Sequence, residues 1–297
     1  MKFEKHQATP GKTGYVAHRY ERDTPAERAA YVELYQSDPT ITPPPVPAWR
    51  PLNDYTAAGA IYKERFGKMG SLSTGLPSVD QLCLGFDPGE YAVLGAGTNQ
   101  GKTQLAIYMA LAQTVPTLYI SRELPQDEIN GRFQFIAGAT NLPDNLYIQE
   151  DHQLTPDSLL ALITGFTAKH GAGFIVIDHI HAFIRGEGLT AGLGMLSAAL
   201  RDQAITTKTT ILALSQLNRK DYKPETGPEN WHLKESGYLE DDAYTIMMAW
   251  REQANLHLKL TKSRRRDISE PGELKATLHA RAGKLTDPLF NTQETIF

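Results

Sequence analysis

The sequence predicts an α/β fold with a mainly parallel, twisted sheet flanked by helices, and three observations carry that expectation. From Leu72 onward, apolar stretches of strand length alternate with stretches of helix length. The strand candidates are continuous apolar runs, such as Phe174-Ile-Val-Ile-Asp178, which suit strands covered on both faces by crossover helices. Finally, Tyr91-Ala-Val-Leu-Gly95-Ala96-Gly97-Thr98-Asn99-Gln100-Gly101-Lys102-Thr103, running on into Gln104-Leu-Ala-Ile-Tyr-Met-Ala, reads as strand, glycine-bearing loop and helix without interruption.

Residues 1–52 are polar and punctuated by proline, ending in Pro43-Pro-Pro-Val-Pro-Ala-Trp-Arg-Pro51, so they are expected to form an extended arm rather than a domain. Within the arm, Thr24 as N-cap and Pro25 at the first helical position open a helix to about residue 36. A second short helix, about 55–66, falls in a linker of residues 53–69. The main domain is expected over 70–285 and a tail over 286–297. Inside the main domain the strand at 91–94 is followed by a helix to about 113, a strand at 117–120, a helix at 126–137 and a short strand near Tyr147. Thr155-Pro156-Asp157 caps a helix to about 169; strands follow at 174–178 and 210–215, with later ones at 245–250, 256–261 and 273–279.

At 297 residues and 41% hydrophobic content the chain can bury one sizeable α/β core. A formal charge of −4 supplies no global basic field, so binding to nucleic acid would have to use a local groove. The single cysteine, Cys83, excludes an internal disulfide, and no His/Cys spacing fits a structural zinc site, His179 and His181 being the closest histidine pair. The start, Met1-Lys-Phe-Glu-Lys-His, lacks an apolar signal core, and no run approaches the ~20 apolar residues of a membrane span. A soluble, cytoplasmic protein without membrane contact is the expectation.

The glycine-bearing loop carries the chemistry. Backbone N–H groups of Gly97, Thr98, Asn99, Gln100 and Gly101, with the helix start at Lys102, Thr103 and Gln104, can surround the phosphates of ATP or another nucleoside triphosphate. Lys102 can reach the β/γ oxygens, and the Thr103 hydroxyl can ligate Mg²⁺. Ala96 stands where the strict motif has glycine, which a methyl group survives if that residue keeps a negative φ. Asp178 ends an apolar strand, so its carboxylate should emerge at the ligand-binding edge of the sheet and suit the metal ion. Glu123 follows the next strand and can orient or deprotonate an attacking water; Gln216, after the strand ending at Ser215, can bond a γ-phosphate and move when it leaves.

Gly-Ala-Gly-Thr-Asn-Gln-Gly-Lys-Thr of residues 95–103, Ser121-Arg-Glu123-Leu, Ile177-Asp178, Leu214-Ser-Gln-Leu-Asn-Arg219 and Leu233-Lys-Glu-Ser-Gly-Tyr-Leu-Glu-Asp-Asp242 resemble, in order, the motifs of the motor domain of DnaB-type replicative helicases. Ser73-Thr-Gly75-Leu-Pro-Ser-Val-Asp80 is similar to that domain's opening segment, and the likeness covers about residues 70–280. The resemblance implies a RecA-like P-loop NTPase core that hydrolyses ATP between subunits of a hexameric ring and pulls single-stranded DNA through the centre, with a primase or helicase loader as possible partner. It gives Lys102, Thr103, Asp178, Glu123 and Gln216 the roles derived above. Full-length family members carry an N-terminal collar domain, so the short arm implies a reduced member of phage or mobile-element type.

Two further assignments come with the resemblance. Leu256, Leu258, Leu260, Lys262 and Arg264 share one face if the strand persists, and the matching Lys and Arg of the family reach the neighbouring subunit's nucleotide, the Arg as a finger. Arg265 and Arg266 follow where the family shows Lys-x-Arg-x-Gly, which leaves three arginines as candidates; a solvated basic run or a nucleic-acid patch is the bland alternative. Lys234, Glu235, Ser236 and Gly237 match the loop whose backbone and basic side chain follow DNA phosphates, and the glycine-rich stretch 186–194, with Arg185 at its edge, reads as a second, mobile channel loop. Two other functions compete with the helicase motor: a RecA/RadA-like strand-exchange ATPase on the same fold, and a nucleotide-gated scaffold or helicase-recruiting adaptor that does not unwind.

Overall fold

The structure, a computed structural model, describes residues 68–149, 153–184, 189–218, 222–223, 225–234, 236–265, 275–281 and 283–289. The expected arm, its two helices, Arg185, Glu235, Arg266, the Ser236 side chain and residues 290–297 lie outside that set. The helices are α1 (Pro77–Cys83), α2 (Lys102–Leu111), α3 (Gln126–Ala137), α4 (Pro156–His170), α5 (Leu189–Thr207) and α6 (Ser236–Asp242). The strands are β1 (Tyr91–Ala96), β2 (Thr117–Ser121), β3 (Leu146–Ile148), β4 (Phe174–Asp178), β5 (Thr210–Gln216), β6 (Thr245–Glu252), β7 (Asn255–Ser263), β8 (Lys275–Arg281) and β9 (Lys284–Thr286).

They form one nine-stranded sheet in the order β3-β2-β4-β5-β1-β6-β7-β8-β9. Strands β3 to β6 run parallel, and β6 to β9 form an antiparallel extension. The expected mainly parallel sheet is therefore present. All residues of β1, β2 and β4 are buried, which explains why their sequences are unbroken apolar runs. Alternate residues of β1 feed opposite faces: Ala92 and Leu94 join the core under α2 and α3, and Tyr91 and Val93 join the core under α4 and α5. Thr155 caps α4 as expected, through a reciprocal pair with Ser158. No helix among the described residues is long and apolar enough to cross a membrane.

Three local expectations are corrected. The stretch expected as a second mobile loop is helical from Leu189 onward, at the start of α5. Its Gly194 is an interhelical contact: a Cβ there would lie 2.8 Å from the Tyr238 ring on α6, so glycine lets the two helices approach. Gly237 belongs to α6 rather than to a turn. In β7 the register slips: Met247 pairs with Leu260 but Ile246 pairs with Lys262, leaving Thr261 as a bulge. One extra residue exchanges the faces, so Lys262 shares the side of Ile246, not that of Leu256, Leu258 and Leu260, and the single-face row ends at Leu260.

The arginine run also resolves into different environments. Arg265 is 3% exposed; its guanidinium lies 3.2 Å from Glu90 and 3.4 Å from Asp87, and it donates to the carbonyls of Leu84 (3.1 Å) and Gly85 (2.5 Å). It is a structural clamp between the end of β7 and the turn that enters β1. Arg265→Ala should strand buried carboxylates and destabilise the domain by about 3–5 kcal/mol. A thermal or urea midpoint equal to wild type would refute that role.

Candidate active site at the carboxyl edge of the sheet

Strand β1 delivers the loop and α2 receives it. Ala96, fully buried at the strand end, is not among the residues with positive φ, so its methyl is tolerated. The left-handed turns fall on Asn99 (φ 60°) and Gly101 (φ 89°), a conformation that glycine adopts without a Cβ penalty. No side chain caps α2, which leaves the positive end of the helix directed to a ligand.

A cavity of about 730 Å³ opens over this loop, lined by Gly97, Thr98, Asn99, Gly101, Lys102, Thr103, Gln104, Glu123 and Gln216 among the expected residues. Its size suits a nucleotide. Arg132, Phe135, Arg251 and Gly283 also line it and were not anticipated, because α3, β6 and the β8–β9 turn reach the loop only through the fold. Gln100 does not line the cavity: its Oε1 accepts the Arg251 N–H at 2.6 Å. Gln104 donates to the Gly283 carbonyl at 2.5 Å. The loop is thereby laced to the antiparallel extension.

Asp178, the last residue of β4, is 1% exposed. Its Oδ2 accepts from the Thr103 hydroxyl and from the Tyr119 hydroxyl, each at 2.8 Å. Burial, reinforced by the Asp178 charge, holds the Tyr119 phenol well above its usual pKa, so it remains a donor. Asp178 Oδ1 is buried with no hydrogen-bond partner among the described residues. A buried carboxylate oxygen in that state beside a threonine hydroxyl fits a hard cation that takes oxygen ligands, such as Mg²⁺. The side chains of Glu123, Asp178 and His179 place ligand atoms within 4.8 Å of one another. The His179 ring, however, is engaged by Glu123 Oε2 at 3.1 Å, and an imidazole nitrogen is a poor Mg²⁺ donor.

Lys102 is 8% exposed, and burial lowers its pKa against the opposing pull of Asp178 and then Glu123. Burial, aided by Lys102, likewise lowers the His179 pKa and favours the neutral ring, which can donate from Nδ1 to Glu123. The Glu123 side chain, half exposed, is thereby steered while keeping water within reach.

Gln216 ends β5 between β4 and β1, and its carbonyl accepts the Lys234 N–H at 2.9 Å. Leu217 bridges Leu233, and the Lys234 carbonyl meets His181 Nε2 at 3.2 Å. The Lys234 segment thus rests on the edge that carries Gln216 and Asp178. Burial drives the His181 pKa down to about 4, and its Nδ1 is buried without a partner among the described residues, so the neutral Nε2–H form donates to Lys234. Because the folded state resists protonation, stability should fall as pH drops from the ordinary histidine range toward 4, by on the order of 2 kcal/mol. His181→Gln should flatten that dependence in urea titrations across this window; an unaltered slope would exclude His181 as its source.

Lys262 and Arg264 stand apart from this cavity. The Lys262 ammonium donates to the carbonyl of Glu240, and Arg264 Nη2 lies 3.4 Å from the Asp241 carbonyl, so both cations sit at the carboxyl end of α6. Arg264 is exposed, with its guanidinium 5.8 Å from the Tyr244 ring centroid. Tyr119 and His179 are the two site residues that motif reading missed: no spacing signals Tyr119, whereas His179 adjoins Asp178.

Residues 133–286, just over half of the chain, match the family model described as DnaB-like helicase C terminal domain. The chain is 26% identical over 224 residues to replicative DNA helicase DnaB of Leifsonia xyli subsp. xyli, covering 65% of this chain and 49% of that protein. It is 27% identical over 218 residues to the DnaB of Pasteurella multocida, covering 61% and 46%. It therefore spans about half the length of the curated relatives it matches. Among solved structures, a DnaB-like replicative helicase studied with its primase interactions superposes with a TM-score of 0.66 at 17% identity, covering 88% of this chain and 71% of that one. An ATPase domain solved by itself gives 0.67 at 17% identity, covering 81% and 99%. At that identity the superpositions establish the fold, a RecA-like helicase ATPase core.

Proposed function

The chain belongs to the family of DnaB-like helicase C-terminal domains, and from that premise we propose that it is the ATP-driven motor of a replicative DNA helicase, acting on single-stranded DNA as a ring of copies. The observation that supports it most is the buried, unpartnered Asp178 oxygen beside the Thr103 hydroxyl, with Lys102 and Glu123 at the same cavity. In this reading the loop from Gly97 to Gly101 and the start of α2 hold the triphosphate by backbone N–H groups, with Lys102 on the β/γ oxygens. Thr103 and Asp178 hold Mg²⁺, which when bound neutralises charge on the β- and γ-phosphates. Glu123, oriented by His179, aligns a water whose oxygen attacks the γ-phosphorus as the bond to the ADP oxygen breaks, and accepts its proton.

Gln216 reads the γ-phosphate and, through its backbone bond to Lys234, passes its loss to the segment carrying Lys234 and Gly237. Backbone and cationic contacts there follow phosphates without reading bases, as a translocating motor requires. Lys262 and Arg264 act on a neighbouring copy's nucleotide, in keeping with their distance from their own cavity. A hexamer, a primase or loader partner and a cytoplasmic setting complete the proposal.

Steady-state ATP turnover with and without single-stranded DNA, beside an unwinding assay on forked DNA, tests it. Stimulated turnover with strand separation is expected. Filaments that pair homologous strands would favour the strand-exchange ATPase, and turnover indifferent to DNA would favour a nucleotide-gated scaffold.

A further inference from the structure

Trp231 is 65% exposed, an unusual setting for the largest apolar side chain, and it lies in the segment laced to the edge of the sheet at Gln216. It sits in a short 3₁₀ turn, Asn230–His232, tied at both sides: Asn218 N–H donates to the His232 carbonyl at 2.8 Å, and Asn230 Nδ2 donates to Glu240 Oε1 at 2.9 Å. The indole stacks on His232 with centroids 3.4 Å apart and planes at 29°. His232 is itself fixed, 4% exposed, with Nδ1 accepting the Glu229 N–H at 2.8 Å and its ring meeting the Tyr222 edge at 5.7 Å. One ring face is thus seated on a rigid support, and the exposure of the residue leaves the other to solvent.

The surroundings decide what that face suits. Its chain neighbours Glu229, Asn230 and His232 are polar, so the indole is not the centre of an apolar patch such as a protein partner would cover. Lys234 follows three residues later, and Lys223 lies in the chain shortly before. A flat, immobilised aromatic with cations close by in the chain has the chemistry of a stacking platform for bases whose phosphates are held alongside.

We propose that Trp231 stacks on a nucleobase of single-stranded nucleic acid at the Lys234 segment. The inference rests on the DNA-motor reading and adds a contact to bases to one otherwise made with phosphates. Stacking accepts any base because each has a π face, so the contact holds the strand without selecting sequence and is compatible with tracking. Being exposed, Trp231 can be replaced without opening the core.

The test compares binding of a thymidine oligonucleotide with binding of an abasic one of equal length and phosphate number, both followed by fluorescence anisotropy, with melting curves to verify folding. Wild type should prefer the oligonucleotide with bases. Trp231→Ala should weaken its binding about 5- to 100-fold while leaving the abasic strand within about two-fold, and Trp231→Phe should recover most of the loss. Equal weakening on both strands, or no weakening on either, would overturn the platform while leaving the motor intact. Wild type that binds neither strand would overturn the DNA-motor reading and the platform together.

Discussion

Glu123→Gln is expected to lower DNA-stimulated turnover ~10²–10⁴-fold while leaving nucleotide affinity nearly unchanged. The substitution keeps the side chain's length and an oxygen that can accept from His179 Nδ1, now 3.1 Å from the carboxylate, but removes the basic oxygen that takes the water's proton. The nucleotide is held by other groups, the loop, Lys102 and Thr103, which the change does not touch. Turnover and equilibrium binding of a fluorescent ATP analogue must therefore separate. If turnover survives, Glu123 is a solvated carboxylate at the start of α3; if binding and turnover fall together, it holds nucleotide or structure instead.

Arg264→Ala should cost ~10³–10⁵ in turnover if its guanidinium completes a neighbour's site. Its ties within its own chain are slight: a 3.4 Å approach to the Asp241 carbonyl and the Tyr244 ring 5.8 Å away. Arg265 is excluded from that role by burial between Asp87 and Glu90. In mixtures with wild type, each variant subunit would disable an adjacent site as well as occupying a position, so activity should fall more steeply than the wild-type fraction. Oligomer mass in the same samples distinguishes a lost finger from a lost ring. A strictly proportional decline would mean self-contained sites and would remove Arg264 from the mechanism.

The signals legible in the sequence were local ones. The phosphate loop is contiguous, so the turn at Gly101, the helix start at Lys102 and the neighbouring Thr103 follow from chain order alone. The parallel sheet was legible because strands buried on both faces must be apolar throughout, and Asp178 was legible because it is the charge that ends such a run. The antiparallel β9 and the short helices α1 and α6 carry too few residues for a periodic signal.

Tertiary structure alone decided what depends on single-residue register or on residues distant in sequence. The bulge at Thr261 moves Lys262 to the opposite face, because side chains alternate with period two and one inserted residue exchanges the faces. The glycines of α5 suggest a loop until Tyr238 is seen to occupy the space a Cβ would need at Gly194. Tyr119 on Asp178 and Arg265 on Glu90 are pairings across strands or across most of the chain. The amino-acid order thus determined the nucleotide loop and the core of the sheet, whose causes lie within a few adjacent residues. Which cation is exposed, which is buried, and which side chains support the acidic centre depend on where separate strands meet.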